Sequence, residues 1–99
     1  MRNAVLEVHP DAEAEIDTAH AWYQRQSSSA ASRFLIEVDA TIERVLANPF
    51  AGPKAFTKYR KLVVDHFPFC VYYRIDGHTV QVMAIAHDRR KPGYWLKRR

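Results

Sequence analysis

Apolar residues recur every three or four positions between Ala31 and Leu46. Ala31, Phe34, Leu35, Val38, Ile42, Val45 and Leu46 fall on one face of a 3.6-residue helix. Asn48-Pro49 ends that helix at about Ala47, because the residue before a proline is pushed out of helical backbone. An earlier stripe, Ala12, Ile16, Ala19 and Tyr23, predicts a first helix, which Trp22 widens. Pro10-Asp11 opens it, with Asp11 as the expected cap and Glu13 and Glu15 in the first turn, where the helix dipole favours acids. Ser27-Ser28-Ser29 separates the two helices, and so short a break makes them an antiparallel hairpin.

Elsewhere the period drops to two. Ala4–Val8 reads as a short strand with Leu6 and Val8 inward. After a loop over Phe50–Thr57 come three more strands: Tyr59–Asp65, Phe69–Ile75 and Thr79–Ala86. Asp76-Gly77 between the last two signals a type I′ hairpin turn. The order is β-α-α-β-β-β, an α+β fold with the helical hairpin packed on one face of a small, mainly antiparallel sheet. Ninety-nine residues leave room for one domain, spanning 1–99.

Alternation assigns the faces of the sheet. Phe69, Val71, Tyr73 and Ile75 should meet the helices together with Val80, Val82, Ala84 and Ala86. The opposite face then carries Cys70, Tyr72 and Arg74 beside Gln81, Met83, Ile85 and His87. That mixture of apolar and basic groups is either a docking surface for another chain or is covered by the tail from Arg89 to Trp95 folding back.

Charge sharpens the picture. Residues 1–50 hold four Lys/Arg against eight Asp/Glu, and residues 51–99 hold eleven against three. A positive face built by the second half favours an anionic partner, either nucleic acid or an acidic protein segment. The single cysteine, Cys70, lies in an apolar run and reads as a small buried hydrophobe. The five histidines show no HxxxH spacing, and no CxxC occurs, so neither a metal nor any other cofactor is expected. With no apolar leader and no run long enough to cross a bilayer, the expectation is a cytoplasmic protein without a membrane partner.

Candidate chemistry gathers after the last strand, in His87-Asp88-Arg89-Arg90-Lys91-Pro92-Gly93-Tyr94-Trp95. Cations bind phosphate, aromatics stack on bases and an imidazole can move a proton. Among Arg89, Arg90 and Lys91, a neutral His87 suits a base or a hydrogen-bond donor better than an acid. Arg90 suits a bidentate clamp on phosphate or carboxylate. Tyr94 and Trp95 would either stack on bases or pin the tail to the body. Lys61 falls on the open face by parity, whereas Arg60, sharing a face with Leu62 and Val64, is expected to snorkel past the core.

Several short motifs, in order, carry a family likeness. They are Ala21-Trp22-Tyr23, Arg33-Phe34-Leu35-x-Glu37-Val38, Asn48-Pro49, Tyr59-Arg60-Lys61-Leu62, Phe67-Pro68-Phe69-x-Val71-x-Tyr73-Arg74-Ile75 and His87-x-x-Arg90-x-Pro92-x-Tyr94-Trp95. Together they resemble the RelE/ParE superfamily of bacterial toxins, including the plasmid-stabilisation proteins near ParE. The resemblance implies a toxin of a type II toxin–antitoxin pair, with a cognate antitoxin as partner. It also implies one of two targets: DNA gyrase, which ParE-like members poison, or mRNA in the ribosomal A site, which RelE-like members cleave.

RNA cleavage needs a base, a cation at the phosphorane and an acid. His87, Arg90, Lys61 and Tyr94 are the catalytic candidates; Arg74, Tyr72, Met83, Ile85, Arg60 and Trp95 are the candidates for binding antitoxin or target. Some ribosome-dependent nucleases of the superfamily carry a glutamate directly after a Pro-Phe pair, but Pro49-Phe50 is followed here by Ala51, with only Lys54 and Lys58 nearby. The acid/base set is thus incomplete, and the ParE-like reading, gyrase inhibition, is preferred over a RelE-like mRNA endoribonuclease. A nucleic-acid-binding accessory without toxicity has nothing specific to recommend it.

Overall fold

The computed structural model describes residues 4–99. Strand β1 (Val5–Val8) leads into helices α1 (Pro10–Gln26) and α2 (Ser28–Ala47). Strands β2 (Lys54–Ala55), β3 (Tyr59–Val63), β4 (Phe69–Asp76) and β5 (Thr79–His87) follow. One sheet has the order β1-β5-β4-β3-β2, with β1 parallel to β5 and all other neighbours antiparallel. This is the α+β arrangement expected from the residue pattern. Strand β2 is an addition inside the segment read as a loop, pairing Lys54 with Arg60 and Ala55 with Tyr59.

Local chemistry shifts the expected helix boundaries. His9, not Asp11, caps α1: its Nδ1 accepts the Asp11 N–H at 3.0 Å. Pro10 takes a first-turn position, where its missing N–H has no helical partner to lose. The serine break shrinks to Ser27 alone, an extended residue that serves both helices. It donates its N–H to the Tyr23 carbonyl (2.8 Å), and its Oγ accepts the Ala30 N–H (3.3 Å). In the β4–β5 hairpin, Asp76 pairs with Thr79, so the turn residues are Gly77-His78 rather than Asp76-Gly77. Only Gly77 takes positive φ (+59°), as a type II′ turn requires and as glycine allows without strain.

Phe34, Val38, Val45, Val71, Tyr73, Val80 and Val82 form the buried layer between helices and sheet. Ile75 and Val8 pack against it as expected, whereas Leu6 stays 39% exposed on the edge strand. The face assignment fails at one point. Tyr72 pairs with Ala84 but Tyr73 pairs with Val82, leaving Met83 as an extra residue in β5. A bulge of this kind inverts the alternation beyond it. Ile85 therefore joins the helix-side core, while Ala84 and Ala86 turn to the opposite face with Met83.

Tyr73 and Arg60 tie the loop after α2 to the sheet. The Tyr73 hydroxyl donates to the Pro49 carbonyl at 2.7 Å, and Arg60 Nη1 donates to the carbonyls of Phe50 (3.1 Å) and Gly52 (2.8 Å). Arg60 thus snorkels to loop carbonyls, as its parity suggested. A Cβ on Gly52 would sit 2.8 Å from the Lys61 carbonyl and against the Tyr73 hydroxyl. Gly52→Ala is expected to cost about 1–3 kcal/mol, read as a lower urea midpoint at unchanged slope.

Candidate functional site

After β5 the chain continues as a strap, residues 88–99, made of successive turns. Tyr94 N–H bonds to the Lys91 carbonyl (3.2 Å), Leu96 to Gly93 (3.0 Å) and Arg98 to Trp95 (2.9 Å). Gly93 permits this path with φ +77°. The strap crosses the sheet face opposite the helices and plugs it with Trp95, only 1% exposed. The indole sits among Phe56 (5.7 Å between ring centres), Tyr59 (4.7 Å) and Tyr72 (4.8 Å), over Met83, Ala84 and Ala86. The covered-face alternative therefore holds. Trp95 is a plug rather than a base-stacking platform, and Met83 and Ile85 are buried residues rather than docking contacts.

The remaining candidates do not form one flat surface. Lys61 and Tyr72 are cross-strand neighbours and border a recess of about 250 Å³ with His87, Arg90 and Tyr94. Arg74 lies elsewhere. It pairs across from Gln81, six residues before His87 on β5, a separation of about 20 Å at strand rise. Its Nε donates to Gln81 Oε1, and Gln81 Nε2 donates to Glu7 Oε2 at 2.8 Å. Arg74 thus belongs to a polar chain along the edge strand. His87 pairs with Phe69 on the helix side of the sheet, because the bulge reverses its predicted orientation.

Together His87, Arg90 and Tyr94 close one end of a cleft of about 350 Å³ along α1. Ala14, Glu15, Thr18, Ala19 and Trp22 of α1 line it together with Phe69 and Ile85 of the sheet. Trp22, half exposed, is the largest open apolar group along it. The central carbon of the Arg90 guanidinium lies over the Tyr94 ring, 3.8 Å from its centre, a cation–π contact. Arg90 has no carboxylate partner among the described residues.

Proton-transfer chemistry finds little to work with here. His87 Nδ1 accepts the Arg89 N–H at 3.0 Å, so the neutral ring carries its proton on Nε2. That leaves a hydrogen-bond donor and no free basic nitrogen. The Tyr94 hydroxyl donates to Glu15, and its pKa is pushed well above the ordinary phenol value, by burial first and then by that bond. The folded state keeps a phenol proton that the unfolded chain releases near pH 10. The resulting stabilisation is intact below pH 10 and declines as pH rises above it. Unfolding free energy is accordingly expected to fall more steeply above pH 10 in the wild-type protein than in Tyr94→Phe. Cys70 is buried beside Asp88, and its thiol pKa is also raised, by burial first and by the Asp88 charge second.

Sequence reasoning missed Glu15, Arg98 and Phe56. Glu15 accepts from Ile85 N–H (3.0 Å), from the Tyr94 hydroxyl and from both terminal nitrogens of Arg98 (2.8 and 3.0 Å). Nothing in the local pattern links position 15 to positions 94 and 98. Among the described residues no cluster of His, Cys, Asp or Glu is arranged to hold a metal ion, and no helix is long and apolar enough to cross a membrane.

Residues 6–92 match the family model described as ParE toxin of type II toxin-antitoxin system, parDE. The proteins called Toxin ParE2 from two Mycobacterium tuberculosis strains, CDC 1551 / Oshkosh and H37Rv, are each 26% identical over 88 residues. The match spans 88% of this chain and 84% of theirs. A solved chain from the chromosomal ParDE TA system of P. aeruginosa superposes with a TM-score of 0.66 at 24% identity. It covers 85% of this chain and 95% of that one, a likeness of fold.

Proposed function

The chain belongs to the family of ParE toxins of type II toxin–antitoxin systems, and from that premise we propose that it acts by binding and inhibiting DNA gyrase. The observation that carries a binding role over RNA cleavage is the pairing at the cleft mouth. A guanidinium without a carboxylate partner among the described residues rests over Tyr94, next to a histidine whose Nδ1 is already occupied. Such a set recognises an anion but offers no base to take a 2′-hydroxyl proton. The choice of gyrase rests on the family likeness.

The same end of the molecule suits the antitoxin. An apolar cleft closed by Arg90 and the His87 Nε2–H fits a segment that carries an apolar anchor followed by a carboxylate. Antitoxin bound there would occupy the groups offered to the target, which accounts for silencing without a second site.

Purified protein added to gyrase and relaxed plasmid tests the proposal. Supercoiling is expected to stop, and addition of antitoxin is expected to restore it. Uninhibited supercoiling, together with A-site cuts on translating ribosomes mapped by primer extension, would replace this reading with the nuclease one.

A further inference from the structure

Strand β1 ends its pairing with β5 at Val8–Val82, so the outer edge of β5 has no strand partner beyond that point. Two of its backbone groups there are met by side chains instead. Glu15 accepts the Ile85 N–H at 3.0 Å, and Arg98 Nη1 donates to the Met83 carbonyl at 3.0 Å. The two side chains pair with each other at 2.8 and 3.0 Å, and each is only 15% exposed. With the Tyr94 hydroxyl added, the Glu15 carboxylate receives four hydrogen bonds, about as many as its lone pairs can hold. One helix residue thereby fastens the sheet edge and two points of the strap.

We propose that Glu15 is the positioning residue of the cleft. It acts through Tyr94, whose ring supports Arg90, and through Arg98, which closes the strap. This rests on the reading above in that Arg90 is the group presented to partners; Glu15 borders the same cleft, but its carboxylate is fully engaged within the fold. A saturated acceptor of this kind fixes both the tilt of the Tyr94 ring and the height of the strap. Arg90 then meets its carboxylate without first losing side-chain freedom. Glu15→Gln keeps the size of the side chain but removes the charge opposite Arg98 and reduces the acceptor capacity.

Nuclear magnetic resonance on the purified protein tests this without antitoxin or gyrase. In the wild-type protein the Arg90 side-chain protons lie over the Tyr94 ring and should be shifted upfield by its ring current. Glu15→Gln is expected to abolish that shift and to speed exchange of the Ile85 amide about tenfold, with the Val82 amide unchanged. Arg98→Gln, which loosens the same clamp from the strap side, should do the same and serves if the Glu15 variant folds poorly. An undisturbed Arg90 shift in both variants would overturn the proposal. So would a common acceleration at Val82 and Ile85, which would make Glu15 a general stabiliser. Because gyrase takes no part, failure to inhibit supercoiling leaves this outcome untouched.

Discussion

Trp95→Ala is expected to remove about 3–5 kcal/mol of stability, the largest loss anticipated for a single side chain in this protein. The indole is buried to 1% exposure and touches three aromatic rings drawn from three places: Phe56 in the loop, Tyr59 on β3 and Tyr72 on β4. Truncation would leave the apolar side of β4 and β5 under a void that the strap, held elsewhere by Glu15, cannot collapse to fill. Small domains have about 5–15 kcal/mol in total, so the midpoint of thermal unfolding should fall by about 15 °C or more. Trp95→Phe should lose much less. It keeps an aromatic plug and also removes the buried Nε1–H, which finds no acceptor among the described residues. Urea or thermal unfolding of the two variants decides it. A Trp95→Ala cost below about 1 kcal/mol would mean that the strap is not part of the folded body.

The largest functional effect is expected from Arg90→Glu. Its guanidinium lies on Tyr94 at the mouth of the cleft, so reversing the charge replaces an attraction for an acidic segment by a repulsion. Association with the cognate antitoxin is expected to weaken about 100-fold, close to 2.7 kcal/mol. Stability should fall by only about 0.5–1 kcal/mol, the worth of the exposed cation–π contact on Tyr94, because the side chain is exposed and makes no ion pair among the described residues. Calorimetric titration beside a urea melt separates the two quantities. Unchanged affinity would remove Arg90 from the binding surface.

How much of this was legible in the sequence depends on the range of the interactions. The α2 stripe and the four longer strands are local patterns of period 3.6 or two, and they appear where the periodicity places them. Three features escaped because they are set by contacts between distant residues. The bulge at Met83 inverts the outer half of β5, so Ile85 and His87 face the helices although strict alternation puts them opposite. Trp95 closes the sheet face that alternation left open, an outcome visible in composition only as one of two alternatives. Glu15 is separated from Tyr94 and Arg98 by most of the chain, and the sequence pattern placed it in the first turn of α1 as an acid favoured by the helix dipole, whereas that turn holds Asp11 and Glu13 and Glu15 lies beyond it. The cap of α1 was missed for a smaller reason: histidine Nδ1 fills a role that sequence rules assign to oxygen.

Recognition rather than chemistry at the His87–Arg90–Tyr94 end is the central claim, and growth arrest on induction of His87→Gln tests it most directly. Glutamine keeps a donor in place of Nε2–H but cannot relay a proton as imidazole does. The account predicts that His87→Gln still arrests growth while Arg90→Glu does not. Full loss of toxicity in a folded His87→Gln protein, with Arg90→Glu still toxic, would contradict it.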